Sequence, residues 1–245
     1  MLGIFKKKKE IKDFSFLQTD IHSHMIFGLD DGAQTVEDSL ELIKNMHSLG
    51  FSTIITSPHV HSDFYPNTTG GILTQYKKVL AAIEAEKIDI QFKTAAEYMI
   101  NDWFMELLKE EEELLTIHDK HVLVEMSYLA ESPYLNDAIF QLQAKGYTPI
   151  LAHPERYNFY HHDYKQYQEL KDRGCLLQLN TIALSGYYGS HVKKIATQLL
   201  DDGLYDYCGS DMHHMRHFKA LEGLLNSKII HKLAEYPFRN SEILV

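Results

Sequence analysis

The feature that most constrains this chain is an alternation. Short β-rich runs are followed by longer helical patterns, and the cycle repeats seven times. The candidate strands are Phe16–His22, Ser52–Ser57, Asp89–Ala96, Val122–Glu125, Thr148–Ala152, Cys175–Leu179 and Leu204–Cys208. After the first, Thr35 opens a helix with Asp38 three residues on, as in a capping box. Val36, Leu40, Ile43 and His47 then share one face up to a stop at Gly50. Further helical patterns run over about 72–86, 102–113, 134–145, 162–173 and 190–202, and helical segments continue to a break at Pro237. Strands alternating with helices imply a parallel sheet. Right-handed crossovers make that sheet a barrel or an open doubly wound layer. The 245 residues suit one βα barrel domain spanning 1–245. Residues 1–15, with the basic cluster Lys6–Lys9, read as a loosely packed N-terminal segment. No glycine-rich phosphate loop follows the first strand, which argues against a dinucleotide fold.

The chemistry-bearing residues fall at the strand ends. Asp20-Ile-His22-Ser-His24 follows strand one, and two residues of extended chain place His22 and His24 on one side. Strand two ends at Ser57-Pro-His59, strand three at Glu97 and strand four at Glu125. Strand five runs into Ala152-His-Pro-Glu-Arg156, and strand seven into Ser210-Asp-Met-His213. In parallel βα folds these ends meet on one face, where active sites are built. Glu97 and Glu125 also follow apolar runs, where an unpaired buried charge would cost several kcal/mol. Singly, each residue has an ordinary structural explanation; jointly they point to a metal centre.

Composition narrows the function. The chain holds 15 His and a net charge of −10. Histidine is the commonest metal ligand, and the acidic balance argues against a nucleic-acid partner. Only Cys175 and Cys208 are present, too few for a disulfide framework. Neither begins a C-x5-R motif: Thr181 and His214 stand six residues on. A cysteine-based phosphatase is therefore excluded, and no H-E-x-x-H helix offers a zincin site. No apolar run is long enough to span a membrane, and no secretory signal precedes the first strand; the reading is a cytoplasmic protein.

The set Asp20-Ile-His-Ser-His24, Asp30-Asp-Gly32, Ser57-Pro-His59, Glu97, Glu125, Ala152-His-Pro-Glu-Arg156 and Ser210-Asp-Met-His213 resembles the PHP (polymerase and histidinol phosphatase) superfamily. More closely, it is similar to the PHP-class protein tyrosine phosphatases of bacterial capsule and exopolysaccharide operons. The likeness runs from about Thr19 to at least Arg216. It implies a distorted seven-stranded (β/α)7 barrel and three divalent ions, with manganese favoured and iron or zinc compatible with the mixed donors. By analogy His22, His24, Glu97 and Asp211 hold one ion. Glu97 bridges to a second with Glu125 and His153, and Asp31, His59 and His213 hold the third. Met212 stands where the family often has a small residue; its side chain is expected to point away from the ligands.

The resemblance further implies phosphomonoester hydrolysis by metal-activated hydroxide. Arg156 would bind the phosphoryl group, with Arg216 the nearest candidate for a second phosphate-binding arginine. The expected partner is the phosphotyrosine tail of a polysaccharide-export tyrosine kinase, which would bring the protein to the inner membrane surface. Phe64, Tyr65, Tyr98 and Tyr157 are candidates for a phenol pocket. His61, His214 and His217 lie near ligand segments without assigned roles. Two alternatives stand: a small-molecule phosphatase such as histidinol-phosphate phosphatase, and a non-catalytic PHP scaffold.

Overall fold

A computed structural model describes residues 10–110 and 113–243; the Lys6–Lys9 cluster lies outside them. The elements follow in the order β1 (Thr19–Asp20), α1 (Val36–Ser48), β2 (Thr53–Thr56), β3 (His59–Val60), α2 (Thr69–Ala85), β4 (Gln91–Thr94), β5 (Glu97–Met99), α3 (Asp102–Leu107) and β6 (His121–Glu125). Then come α4 (Leu135–Ala144), β7 (Thr148–Ala152), α5 (Lys165–Asp172), β8 (Leu176–Asn180), α6 (Ser190–Asp201), β9 (Tyr207–Gly209), α7 (Met215–Gly223) and α8 (Ile229–Glu235). Every strand pairing is parallel. The architecture is thus a TIM-like α/β fold.

The strand count differs from seven because two expected strands are each broken in two. Strand two stops at Thr56 and resumes at His59, across Pro58, which has no N–H to give a ladder. Strand three stops at Thr94 and resumes at Glu97, across two alanines. The first halves join β1-β2-β4, and the second halves join β3-β5-β6-β7-β8-β9. The breaks do not separate the sheets: Glu97 N–H donates to Pro58 O at 3.0 Å and Ala95 N–H to Thr56 O at 2.8 Å. At the opposite seam Ser23 and Met212 form a parallel bridge. His24 N–H donates to Met212 O at 2.8 Å, and Asp211 N–H to His22 O at 2.7 Å. Gly209 permits this approach, since a Cβ there would stand 2.6 Å from His22 Cβ.

Strand alternation divides the interior. Ile21, Ile55, Ala95, Leu123, Ile150 and Ala152 form one buried cluster. Their neighbours Ile54, Val122, Val124 and Leu151 belong to the larger cluster that also holds helical residues such as Ile43, Ile139 and Leu199. Two residues beyond Ala95 and Leu123 stand Glu97 and Glu125, so the period of two carries them to the same inner side. Met212 is fully buried in the larger cluster.

Local chemistry explains where the helices fall. Thr35 caps α1: its hydroxyl accepts from Asp38 N–H at 3.1 Å, and Asp38 Oδ2 accepts from Thr35 N–H at 2.9 Å. The buried face of α1 is Ser39, Leu42, Ile43 and Met46; His47 is exposed, not a packing residue. α2 starts three residues earlier than its apolar pattern, because Thr68 caps it and places Gly70 and Gly71 inside the first turn. α3 stops at Leu107. A run of glutamates follows, and anions are unfavourable at a helix C-terminus. Near the chain start Phe14 is fully buried and stacks on Phe51 at 5.8 Å. Among the described residues no helix is long and apolar enough to cross a membrane.

Candidate metal centre

The strands and the loops that follow them bring His22, His24, Asp31, His59, Glu97, Glu125, His153, Asp211 and His213 together. Glu97 is their hub. Its Oε2 lies 3.2 Å from His22 Nε2, 3.1 Å from His59 Nδ1 and 3.5 Å from His24 Nε2, and its Oε1 lies 3.0 Å from His153 Nε2. His59 and Glu97 are direct register partners on β3 and β5, a consequence of the two strand breaks. Asp211 Oδ1 sits 3.4 Å from His22 Nε2 and 3.3 Å from His24 Nε2. Glu125 Oε1 is 2.8 Å from His59 Nδ1. Asp31 is more open and stands 3.6 Å from His59 and 3.5 Å from His213.

These donors fit bound cations better than they fit one another. His22 Nδ1 meets Gln178 Oε1 at 2.9 Å, and His24 Nδ1 meets Asp30 Oδ2 at 2.8 Å. Those acceptors hold the ring proton on Nδ1, so both Nε2 atoms present lone pairs. Yet the two Nε2 atoms face each other at 3.2 Å, a repulsive contact unless a cation lies between. Glu97 Oε2 is likewise buried without a hydrogen-bond partner. Separations of 3.2–3.5 Å are what ligand bonds of about 2.0–2.2 Å produce around one ion. Trios that could hold an ion include His22–His24–Asp211, His22–Glu97–His153, His59–Glu97–Glu125 and His24–His59–His213.

The electrostatics agree. Burial alone would raise the Glu97 and Asp211 carboxyls, but neighbouring imidazoles, with Arg156 beside Asp211, hold both well below the usual carboxylate range. Burial opposes a charged His24, but Asp30, Asp211 and Glu97 together outweigh it and raise the imidazole. Two positions of the cluster carry backbone strain: His153 at φ 36° and Asp211 at φ 51° are left-handed. Such conformations cost about 1–3 kcal/mol each and cluster at functional sites.

A cavity of about 260 Å³ opens above the cluster, lined by Asp31, His59, Glu125, Tyr128, Arg156, Tyr188, Asp211, His213, His214 and His217. Arg156 follows His153 on a short 3-10 turn. Its Nη1 donates to Asp211 Oδ2 at 2.7 Å, and its guanidinium lies 4.4 Å from the Tyr128 ring centroid and 4.2 Å from that of Tyr188. The fork is therefore fixed in plane by a ring on each side. Arg216 is exposed on α7 and does not line the cavity. His214 and His217 do; burial pushes His217 down to about 3. His61 lies outside the cavity lining, packed against Phe64.

Sequence reasoning quoted Asp20, Asp30, Glu155 and Ser210 within motifs without giving them a role, and it missed Gln178 and Asn180 altogether. Asp30 and Gln178 orient two imidazoles, Asn180 Nδ2 donates to Asp211 Oδ2 at 2.9 Å, and Ser210 anchors on Asp20. Glu155 is fully buried and accepts from Asn180 N–H at 2.8 Å and Tyr205 Oη–H at 3.0 Å, which pins the turn that carries Arg156. Gly32 had a readable signal, since a Cβ would stand 2.1 Å from His24 O. Tyr128 and Tyr188 had none among 15 tyrosines. Of the four phenol-pocket candidates, Tyr98 and Tyr157 are buried, with hydroxyls accepting from Leu115 N–H and Met126 N–H. Tyr65 stacks on His59 at 5.4 Å, and Phe64 is exposed beside it.

This geometry has relatives. Tyrosine-protein phosphatase YwqE of Bacillus subtilis is 28% identical over 232 residues, covering 92% of this chain and 91% of its own. Tyrosine-protein phosphatase CpsB of Streptococcus pneumoniae is 28% identical over 202 residues, covering 80% and 83%. A crystal structure from work on YwqE and CpsB, described as unique metal-dependent tyrosine phosphatases, superposes with a TM-score of 0.75 at 25% identity. It covers 91% of this chain and 94% of the other. The family model for capsular polysaccharide synthesis, CpsB/CapC, matches residues 18–229, most of the chain, and the chain belongs to that family.

Proposed function

We propose that this chain is a metal-dependent protein tyrosine phosphatase acting on the phosphorylated tail of a polysaccharide-export tyrosine kinase. The observation that carries the reading is Arg156, held between two tyrosine rings at the mouth of a histidine–carboxylate cluster. We read the chain as one phosphoesterase domain on a distorted seven-unit barrel, working in the cytoplasm and drawn to the inner membrane through its kinase. Three ions, manganese favoured, would be held by His22, His24, Glu97 and Asp211; by Glu97, Glu125 and His153; and by Asp31, His59 and His213. The mixed nitrogen and oxygen donors suit manganese, iron or zinc.

When bound, such ions supply Lewis acidity toward phosphoryl oxygens and lower the pKa of water. The protein does the rest by position. Gln178 and Asp30 fix the ring orientation of His22 and His24. Asp211 and the two flanking rings hold the Arg156 fork, whose remaining N–H groups take phosphoryl oxygens in a planar, charge-assisted contact. Four ligand carboxylates against three divalent ions leave a local positive excess, which draws a phosphate dianion to an acidic protein. A tyrosine leaving group has a pKa near 10, so its departure makes little demand on an acid.

The test is turnover of a phosphotyrosyl peptide by purified protein, with and without chelator, against histidinol phosphate. Chelator-sensitive preference for the peptide is expected. Preference for histidinol phosphate would transfer the reading to a small-molecule phosphatase. Metal-loaded protein that hydrolyses neither would make it a scaffold.

A further inference from the structure

Among the described residues, seven large hydrophobic side chains are exposed, and four of them, Phe64, Tyr128, Leu129 and Tyr187, stand on loops that follow strand ends. Contacts tie these loops to the site. The Phe64 ring meets His61 edge-on at 5.0 Å, and the adjacent Tyr65 stacks on His59. Tyr128 covers Arg156. Leu129 follows it at 92% exposure, on a turn fixed by its own N–H donating to Ser127 Oγ at 3.2 Å. Tyr187 meets His217, a cavity-lining residue, edge-on at 4.9 Å. A single exposed leucine needs no explanation; apolar side chains on three separate loops around one polar cavity do.

We infer that this apolar rim is a docking surface for the residues flanking the phosphotyrosine of a polypeptide substrate, selecting aromatic or aliphatic flanks over acidic ones. The inference rests on the phosphatase reading above. It is argued from continuity with the cavity: a small phosphomonoester that fills about 260 Å³ leaves the rim bare, whereas a polypeptide presenting its phosphotyrosine to Arg156 must cross it. Charge adds to the selection. Asp63 and Glu131 are exposed on two of these loops, so acidic flanks meet like charge as well as apolar surface. Such a rim lowers KM for the right peptide and does nothing for phosphate chemistry.

The experiment compares three substrates with the metal-loaded full chain: a phosphotyrosyl peptide with leucine and tyrosine flanks, the same peptide with aspartate flanks, and p-nitrophenyl phosphate. The wild type is expected to favour the apolar peptide by about tenfold in kcat/KM, through KM. Leu129→Ser and Leu129→Gln, neutral changes at an exposed position, are expected to bring the two peptides within about threefold while p-nitrophenyl phosphate turnover stays unchanged. Equal rates on both peptides with the wild type would overturn the rim alone. So would variants that lose p-nitrophenyl phosphate and peptide turnover in parallel. No turnover of any of the three would overturn the phosphatase reading, and the rim with it.

Discussion

Arg156 and Asp211 form a 2.7 Å ion pair although 55 residues separate them, which couples a cavity-lining guanidinium to a carboxylate of the histidine cluster. Asp211 thus serves two partners: one oxygen turns to Arg156 and the other to His22 and His24.

Replacement of Arg156 should therefore separate binding of phosphate from binding of metal. Arg156→Ala is expected to lower kcat/KM by about 10²–10³-fold, with metal content by elemental analysis equal to wild type. Arg156→Lys should recover little, because an ammonium cannot supply a planar fork between two rings. Full activity in the lysine variant would show that only the charge matters.

Glu97→Gln keeps the shape of the hub and removes its charge. Metal content per chain should fall, with far-UV circular dichroism unchanged. In the wild type, chelation should abolish turnover and lower Tm, and excess manganese should restore both. At a free-ion concentration of 100 Kd one site contributes about 2.7 kcal/mol. A Tm indifferent to chelator would remove the cluster from the stability of the fold.

Cys175 and Cys208 are both buried, and burial pushes the Cys175 thiol up to about 12. Thiol reactivity follows the thiolate, so iodoacetamide at neutral pH should leave the native enzyme active and both thiols unlabelled. Both should label in denaturant. Stoichiometric inactivation of native protein would contradict the burial.

His121 supplies a pH prediction away from the metal centre. Burial, with His118 and Arg239 nearby, lowers its pKa, while Asp119 acts in the opposite sense. The native state thus holds His121 neutral to lower pH than the unfolded chain does. Below about pH 6.5 the unfolded state binds a proton that the native state does not, so stability falls as pH falls. Denaturant melts should show His121→Gln with a shallower loss than wild type from about pH 6.5 to about pH 5. Identical slopes would assign the acid sensitivity to other groups.

The parts legible in sequence were those written in local chemistry. Thr35 and Asp38 announced the capping box, and Thr148–Ala152 fell where β-propensity put it. Eight of the nine metal-type residues were legible because βα topology sends strand ends to one face; Asp31 was named only through the family resemblance. The strand breaks at Ser57-Pro58 and Ala95-Ala96 were not, since each half still reads as extended chain; only the register of His59 against Glu97 reveals why the chain jogs there. α2 was misplaced because Gly70 and Gly71 read as loop, although Thr68 could cap them. The residues that orient the ligands, Asp30, Gln178 and Asn180, act through single contacts across the fold, and a spacing rule has no access to those.

The Ser23–Met212 seam also sets when the enzyme can exist. His22 and His24 flank one side of that bridge, and Asp211 and His213 flank the other. Ser210 is tied to Asp20 across 190 positions of sequence. A chain emerging from the ribosome N-terminus first therefore displays seven of the nine clustered residues before Asp211 and His213 exist. The last βα unit forms the Ser23–Met212 seam and adds the last two residues of the cluster together. A nascent or truncated chain that stops short of residue 210 should carry no fractional activity, and biosynthesis delivers this catalyst in a single final step.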